Sequence, residues 1–417
     1  MSPKLPDPHF GAAERRRGGK AAKFRANAEK QVFDGRTPIR LCVPVIYEDN
    51  YIDSVIDYND RYSDEGCFIY EVYGSMRTDI IGNLRPSFSI KEINIVKLQE
   101  YINILHTHNV RFDYVINSTL SPMPIEPCVK PNEFLTFIRG LVELGVDSFT
   151  VTNAYFVMLL KHHFPFVKIN ASICNEVSSI HQVRELEEMG VDCFILDRDI
   201  NRRFHLLNRI RESTKKDLKL LCNSPCLYQC VNVQYHANHS SFLSVSPFCN
   251  IIDKTRAIPF CRYYCLHRYF SMPAEHIKAQ WIRPEDLKYY RDIGISLFKL
   301  DGRDKTTDYM LGVLKSYLCQ RYDGNFFHLL HNRYTKNMKD IKEESTNQDA
   351  LLKEWKIGID NRELDGFIDL FQKNGCEGVC EECSICEIIA RNIIVNKDWQ
   401  KQACQDLENR MKSQLLL

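Results

Sequence analysis

The sequence predicts a (β/α)8 barrel, an α/β fold in which eight parallel strands alternate with helices. From residue 39 onward, short apolar, β-branched or aromatic runs alternate with amphipathic helical stretches. Three segments, 141–151, 186–196 and 290–300, repeat one helix–glycine–strand pattern, in which the glycine ends a helix and a buried strand follows at once. An open doubly wound sheet is the alternative, but such sheets usually have fewer strands, and the sequence lacks the G-x-G-x-x-G loop of many of them.

Eight runs have the length and composition of buried strands. Helical patterns separate them, most clearly at 93–106, 132–144, 178–189 and 284–293. In a barrel of this kind, functional groups gather where the strands end and the βα loops begin. Each predicted strand is followed by polar residues, which together predict the wall of a polar pocket. The predicted strands are 39–46, 67–73, 112–116, 146–151, 167–171, 193–196, 218–221 and 295–300.

The chain of 417 residues is long enough for one large α/β domain and an extra module. We predict a disordered basic arm at 1–36, the barrel at 37–322 with a cysteine-rich loop at 223–282, and a linker followed by a C-terminal helical, cysteine-rich extension at 323–417. The net charge of +1 gives no whole-protein case for a nucleic-acid partner. No apolar run approaches the roughly 18 residues of a membrane span. An odd number of cysteines without an export signal predicts a reducing, cytoplasmic compartment.

Ten of the 17 cysteines fall in two short stretches. Buried structural thiols have no reason to recur at three- and four-residue steps, so this density indicates ligands of a soft metal or an iron–sulfur cluster. The first stretch lies in the loop after the seventh strand. It contains Cys222 and what we call the mouth cysteine group, namely Cys226, Cys230, Cys249, Cys261 and Cys265. The second stretch is the tail cysteine group, namely Cys376, Cys380, Cys383 and Cys386.

The cysteine spacings leave more than one metal open. The two Cys-x3-Cys pairs of the mouth group also suit structural zinc, and unliganded thiols are a third interpretation. Position favours an iron–sulfur cluster, because the loop lies over the face where a barrel enzyme performs its chemistry. The compact tail group is typical of a ferredoxin run and favours a second cluster. Alternatively, two or three tail thiols complete the first site.

Three sequence strings in fixed order resemble one known family. They are Asn-Ser-Pro-Cys-Leu-Tyr-Gln-Cys at 223–230 with His-Ala-Asn at 236–238, then Ile-Arg-Pro-Glu-Asp-Leu at 282–287, then Phe-Lys-Leu-Asp-Gly-Arg at 298–303. Over about residues 39–320 the chain resembles the collagenase-like peptidase family, peptidase family U32. The resemblance implies a barrel-like fold. From the better understood members it also implies oxygen-independent hydroxylation with a 4Fe–4S cluster, acting on a tRNA uridine, a ribosomal RNA cytidine or ubiquinone precursors.

On this chain, the resemblance implies a 4Fe–4S cluster at the barrel mouth, held by four cysteines of the mouth group. The implied ligands are Cys226, Cys230, Cys265 and either Cys261 or Cys249. A second cluster in the C-terminal extension stays open. Prephenate is the implied oxygen donor for some members, so a carboxylated donor is expected here as well.

Four further residues are candidates on the same basis. A guanidinium binds carboxylates bidentately, which makes Arg303 and Arg283 candidates for holding the donor. His236 is a candidate for moving a proton beside the cluster, and Asp301 for orienting Arg303 or a substrate hydroxyl. Each has a structural alternative: a solvent-exposed helix start for Arg283, loop packing for the histidine and helix capping for the aspartate.

The predicted function is therefore iron–sulfur-dependent, oxygen-independent hydroxylation, or a related modification, of an RNA base, a small molecule or a peptide. An electron donor or a partner subunit that supplies electrons stays open. The first alternative is a peptidase, as the family label implies, although the sequence has no G-x-S-x-G elbow, H-E-x-x-H site or P-loop. The second is a non-catalytic iron–sulfur module that binds RNA through the basic arm.

Overall fold

Eight parallel strands close into a barrel in the computed structural model, which describes residues 37–48, 50–62, 66–120, 131–244, 259–330 and 356–416. The strands pair in chain order, and β8 pairs with β1 to complete the ring. The predicted (β/α)8 fold and its eight strands are confirmed, whereas the predicted arm at 1–36 lies outside the described residues. The strands are β1 Ile39–Pro44, β2 Cys67–Gly74, β3 Arg111–Ile116, β4 Ser148–Val151, β5 Lys168–Ala171, β6 Cys193–Ile195, β7 Asp217–Leu221 and β8 Leu297–Lys299, with β9 Ile357–Gly358 and β10 Ile394–Val395 in a separate two-stranded sheet.

Helices alternate with the strands and continue into the C-terminal extension. The pattern predicted at 284–293 forms a 3-10 turn, Pro284–Asp286, that leads directly into a short helix. The described helices are α1 Tyr51–Tyr62, α2 Ile95–Thr107, α3 Pro131–Leu144, α4 Ala154–His163, α5 Ile180–Glu188, α6 Phe204–Ser213, α7 Val233–Phe242, α8 Phe260–Ser271, α9 Ala274–Lys278, α10 Leu287–Asp292, α11 Thr307–Leu318, α12 Phe367–Asn374, α13 Ile385–Ala390 and α14 Lys397–Leu415. None of these described helices combines the length and the apolar surface that crossing a membrane requires.

The three glycines of the repeated pattern end their helices as predicted. Gly145, Gly190 and Gly294 have φ angles of +101°, +103° and +83°, a conformation that disfavours side chains. At Gly190 space is limiting as well, because a Cβ would lie 2.7 Å from Cγ of Lys161. That lysine is fixed by an ion pair of 2.6 Å with Asp192. Glycine is therefore required here by both the backbone and the packing.

The interior of the barrel carries charged side chains in its middle layer. Lys219 donates from Nζ to Oε1 of Glu71 at 2.6 Å, and their side chains are 0% and 5% exposed. Asp113 accepts hydrogen bonds from Oγ1 of Thr150 at 2.5 Å and from Nδ2 of Asn170 at 3.0 Å. Burial, reinforced by the charge of Glu71, raises the pKa of Asp113 to about 6. Buried charges need partners, so these contacts fix β2, β3, β4, β5 and β7 relative to one another.

Lys299 of β8 belongs to the same interior. Its Nζ lies 3.7 Å from the ring centroid of Tyr73, a cation–π contact. Burial, together with the charge of Lys219, lowers the pKa of Lys299 to about 8. The hydroxyl of Tyr73 donates to the carbonyl of Leu300 at 2.7 Å. One tyrosine therefore ties β2 to the end of β8, where the mouth of the barrel begins.

The C-terminal extension packs directly on the barrel. The rings of Phe326 and Phe367 contact Trp281, with centroid distances of 4.4 and 5.5 Å. Helix α14 lies along α8, where the rings of Phe270 and Trp399 meet at 4.8 Å. The tail cysteine group, which lies between α12 and the end of α13, is therefore held close to the barrel.

Breaking the interior ion pair should destabilise the barrel more than removing both charges. We expect Lys219→Met to lower the free energy of unfolding by about 3–5 kcal/mol, because it leaves the Glu71 carboxylate buried without its partner. The double variant Glu71→Gln/Lys219→Met should recover most of that loss. Urea unfolding of the three proteins measures the difference. A single variant within 1 kcal/mol of wild type would contradict this role for the pair.

Candidate active site at the barrel mouth

The loops at the carboxyl ends of β7 and β8 are locked together by reciprocal hydrogen bonds. Nδ2 of Asn223 donates to the backbone carbonyl of Asp301 at 2.9 Å, and its Oδ1 accepts from the backbone N–H of Asp301 at 2.6 Å. Asn223 is fully buried, as is the neighbouring Cys222, which belongs to the hydrophobic core. These contacts determine where the Asp301 carboxylate lies.

The Asp301 carboxylate holds an arginine from the loop after β2, two strands away in the ring. Nη2 of Arg85 lies 2.6 Å from both carboxylate oxygens, and Nη1 donates to the carbonyl of Leu84 at 3.1 Å. The side chains of Arg85 and Asp301 remain 20% and 21% exposed, so their ion pair lines the pocket instead of filling the core. The sequence predicted that Asp301 orients Arg303 or a substrate hydroxyl, and the structure shows it hydrogen-bonded to Arg85.

Arg303 lies beside Arg85. Its Nη1 donates to Oγ of Ser75 at 3.0 Å, and its guanidinium carbon lies 6.0 Å from the ring centroid of Tyr73. Burial, together with the charge of Arg85, lowers the pKa of Arg303. Nε of each arginine is buried without an acceptor in the part of the chain that the structure describes. Two guanidiniums thus lie side by side, where their nitrogens suit an anionic ligand, and the carboxylates of Asp301, Asp304 and Asp79 interact with them.

The segment 223–244 crosses the mouth from β7 to the far side of the ring, and we call it the lid. It ends against the loops that follow β2 and β3. The backbone N–H of Thr119 donates to Oγ of Ser241 at 3.0 Å, and that of Asn83 donates to Oγ of Ser244 at 2.9 Å. Both serine hydroxyls are buried, so the far end of the lid is anchored by contacts shielded from water.

The near half of the lid contacts the loops after β5 and β6. The backbone N–H of Gln229 donates to Oδ2 of Asp199 at 2.8 Å, and Nε2 of Gln234 donates to Oε1 of Glu176 at 2.9 Å. Burial raises the pKa of Asp199 to about 6. The lid is therefore attached to the loops that follow β2, β3, β5 and β6.

The mouth cysteine group is divided between the lid and α8. Cys226 and Cys230 lie half-buried in the lid before α7, whereas Cys261 and Cys265 are buried one turn apart on α8. Cys230 and Cys265 contact one small hydrophobic cluster, so the two pairs are neighbours. Cys249 lies outside the described residues. In the described ranges, no three His, Cys, Asp or Glu side chains are arranged as ligands of one metal ion.

Arg198 supplies a positive charge beside this group. It begins a 3-10 turn, Arg198–Ile200, directly after β6. Burial opposes its charge, but the sulfur of Cys226 and the carboxylate of Asp199 raise the pKa of Arg198 above the ordinary arginine value. A neighbouring cation favours the thiolate form of a cysteine, which is the form that binds metals.

Comparison with known proteins places the chain in a family. The sequence profile of peptidase family U32 matches residues 78–238. An uncharacterized protease of Methanocaldococcus jannaschii is 30% identical over 349 residues, which are 83% of this chain and 94% of that protein. The chain belongs to peptidase family U32. The family predicted from the sequence strings is thereby confirmed.

Two other comparisons are narrower or structural. The tRNA hydroxylation protein P of Escherichia coli K12 is 26% identical over 121 residues, which are 28% of this chain and 25% of that protein. A solved structure of a U32 peptidase has a TM-score of 0.46 at 15% identity, over 66% of this chain and 96% of that one. The span matched by the family profile includes Arg85, Arg198, Cys226, Cys230 and His236.

The structure does not bring Arg283 of this U32 protein to the pocket. Its Nε and Nη2 bind the carboxylate of Asp286 at 3.0 and 3.1 Å, and its Nη1 binds the carbonyl of Asn361 and the carboxylate of Asp365 at 2.9 and 3.1 Å. All three nitrogens bind protein groups, so Arg283 joins the barrel to the extension. The expectation that it holds a carboxylated donor is therefore withdrawn. His236 lies half-buried on α7 of the lid.

Sequence reasoning missed Arg85 and gave Arg198 no role. Arg85 lies well beyond the end of β2 at Gly74, in the loop before α2, so an argument from strand ends does not reach it. The available signal was the length of that loop, because long loops in compact barrels are usually functional. Arg198 does follow a strand, but its neighbour Cys226 comes from another loop.

The tail cysteine group lies at the flank of the mouth. Sγ of Cys376 is 3.9 Å from Nε2 of Gln280. Gln280 belongs to the segment that leads back from α9 to the barrel. Cys376, Cys380 and Cys386 are half-buried and Cys383 is exposed.

Ser241→Ala should loosen the lid. The variant removes the acceptor for the Thr119 N–H, a buried hydrogen bond worth about 1 kcal/mol, so we expect amide exchange in α7 to accelerate about fivefold. Hydrogen–deuterium exchange with mass spectrometry measures this. Ser271→Ala is the matched control, because that exposed hydroxyl bonds only its own helix at 2.7 Å from the carbonyl of His267. Equal exchange of α7 in both variants would refute the anchoring role.

Proposed function

We propose that this U32 protein is an iron–sulfur-dependent enzyme that hydroxylates its substrate, or modifies it in a related way, without molecular oxygen. The observation that carries the proposal is the combination of two features at the barrel mouth: a pocket with two adjacent arginines, and a lid that bears two of the five mouth cysteines. The local similarity to a tRNA hydroxylation protein supports hydroxylation over peptide cleavage. The substrate is an RNA base, a small molecule or a peptide.

The chemistry of the donor set fits an iron–sulfur cluster. Cys226 and Cys230 come from the lid and Cys265 from α8, with Cys261 or Cys249 as the fourth ligand. Thiolate ligands carry negative charge, and the buried guanidinium of Arg198 lies beside Cys226 to balance it. Apolar neighbours around Cys265 limit access of water, which preserves such a cluster. When bound, a 4Fe–4S cluster would supply one-electron transfer and a Lewis-acidic iron.

The arginine pocket would bind the carboxylated oxygen donor. Arg303 and Arg85 present guanidinium nitrogens toward the same space, and carboxylates accept such forks bidentately. Asp301 accepts hydrogen bonds from Arg85 and so holds its guanidinium in one orientation. The Arg85 side chain is therefore already positioned before the donor enters the pocket. His236, on the lid, is the candidate for moving a proton at the reacting group.

The overall reaction must release electrons. Replacing a substrate C–H by C–OH, with the hydroxyl taken at the oxidation level of water, breaks one C–H bond, forms one C–O bond and releases two electrons and the proton of that C–H bond. The donor alcohol supplies the hydroxyl by dehydration: its C–O bond and a neighbouring C–H bond break, a C=C bond forms, a second proton is released, and the donor accepts no electrons. A one-electron carrier protein is therefore part of the proposal, and it accepts the two electrons in single steps.

Iron content tests the mouth centre. Anaerobically purified protein should be brown, and Cys226→Ala and Cys265→Ala should each remove about four irons and four sulfides per chain, because each removes a ligand. Cys319→Ala, just after α11, is the control and should keep the wild-type content. A colourless preparation that contains zinc instead of iron would contradict the proposed iron–sulfur centre. Cleavage of gelatin by metal-free protein, unaffected by Cys226→Ala, would favour a peptidase instead.

The donor site is tested by binding. Arg303→Lys should weaken the binding of prephenate, a carboxylated alcohol, by about tenfold to a hundredfold, because an ammonium cannot form the bidentate pair. Arg283→Lys is the matched control, since its guanidinium is occupied by Asp286 and Asp365, and it should leave binding unchanged. Calorimetric titration of the reconstituted protein measures both. If the control lost binding and Arg303→Lys kept it, the assignment of the pocket would be wrong.

A further inference from the structure

Arg202 is a fully buried cation that donates its side-chain hydrogen bonds to neutral groups. Its Nη1 donates to the carbonyl of Ile277 at 2.5 Å and its Nη2 to that of Ala279 at 2.7 Å, and its guanidinium carbon lies 4.4 Å from the ring of Trp281. Nε has no hydrogen-bond acceptor among the described residues. A buried charge is costly; the carboxylate of Asp286 interacts with Arg202, and further negative charge beside the guanidinium would offset the burial more fully.

The tail cysteine group occupies that position. The sulfurs of Cys376 and Cys386 are close enough to Arg202 to interact with its charge. The sulfur of Cys386 is likewise within electrostatic reach of the other three tail cysteines. A second cation, Lys278 of α9, faces Cys380 and forms an ion pair with Glu387 of α13 at 3.4 Å. Four thiols and two cations thus lie within electrostatic reach of one another on the flank of the barrel.

We propose that the tail cysteine group is a second iron–sulfur centre, whose negative charge is balanced by Arg202 and Lys278. Ligands drawn from eleven consecutive residues are typical of ferredoxin runs, whereas structural zinc usually takes two separated pairs. The four sulfurs do not converge on one point in the structure. Cys376, Cys380 and Cys383 lie in the irregular segment between α12 and α13, so this segment can close around a cluster without moving a helix.

The two cysteine groups touch through one tyrosine. Tyr228 lies between Cys226 and Cys230, and its hydroxyl accepts from Nη2 of Arg203 at 3.0 Å. Gly378, between the first two tail cysteines, lies against the same atoms: a Cβ there would be 2.8 Å from the Tyr228 hydroxyl and 3.1 Å from Nη2 of Arg203. The loop of the mouth group and the loop of the tail group are therefore in direct contact.

This contact gives the second centre a role, which rests on the function proposed above. Two electrons leave the substrate, and the tail centre would pass them one at a time from the mouth centre to the carrier protein. Each transfer reduces the tail centre by one electron and then reoxidises it, so the centre itself undergoes no net change. Its exposed side, at Cys383, is where a carrier could approach.

Separate removal of the two centres tests the inference in the full chain. Cys380→Ala/Cys383→Ala should lose about four of about eight irons, with equal loss of sulfide, and keep the electron paramagnetic resonance signal of the mouth centre. Cys226→Ala/Cys230→Ala should lose the complementary half. Wild-type iron in the tail variant, or zinc bound by the tail, would overturn the second centre and leave the proposed function intact. Loss of all iron in the tail variant alone would overturn the mouth centre instead.

The counter-charges are tested by potential. Lys278→Met and Arg202→Met should each shift the reduction potential of the tail signal to more negative values. Each variant removes a positive charge that would otherwise stabilise the reduced, more negative form of the cluster. Lys288→Met, an exposed lysine on α10, is the control and should not shift it. Arg202 is fully buried, whereas the side chain of Lys278 is 15% exposed. The Lys278 variant therefore still tests the counter-charges if the Arg202 variant does not fold. An unchanged potential in every folded variant would contradict the assignment of the counter-charges.

Discussion

The charged layer inside the barrel, where Lys219 meets Glu71, is the constraint on which the mouth depends. The strands that carry this layer lead directly into the mouth residues, since Asp301 follows Lys299 of β8 by two positions and Asn223 follows Lys219 of β7 by four. Side chains alternate along a strand, so a slip by one residue would turn the layer and the mouth away from the interior together. The buried ion pair makes such a slip costly, and the position of the pocket follows from it.

Above that layer, two guanidiniums lie side by side in the pocket. Asp301 is hydrogen-bonded to Arg85, and Arg303 lies beside them with a hydroxyl partner. The carboxylates of Asp301 and Asp304 interact with Arg85, and that of Asp79 interacts with Arg303, so part of the positive charge is compensated within the protein. Repulsion between neighbouring guanidiniums is unfavourable, and a bound anion would relieve it further.

The sequence predicted the barrel well because buried strands and glycine-ended helices are local patterns, and all eight strands lie where those patterns fall. It predicted the mouth incompletely because partners there come from distant loops. Arg85 reaches Asp301 across 216 positions, and nothing near it in sequence marks the contact. Arg283 matched a family string, yet its carboxylates at Asp286 and Asp365 make it structural. The local sequence pattern indicates which chemical group a side chain offers. Tertiary contacts determine whether that group binds other protein groups or is available to a ligand.

The short stretch after β6 shows how one element can serve both cysteine groups. Arg198 lies beside Cys226, Arg202 is buried next to the tail group, and Arg203 holds the tyrosine between them. Because this stretch follows a barrel strand and is capped by Asp197, its charges are fixed by the fold and need no rearrangement when thiolates ionise. With a neutral tail group, Arg202 would have only its carbonyl and aromatic contacts and the charge of Asp286 to offset its burial. The anionic centre proposed for the tail group would add negative charge beside this cation.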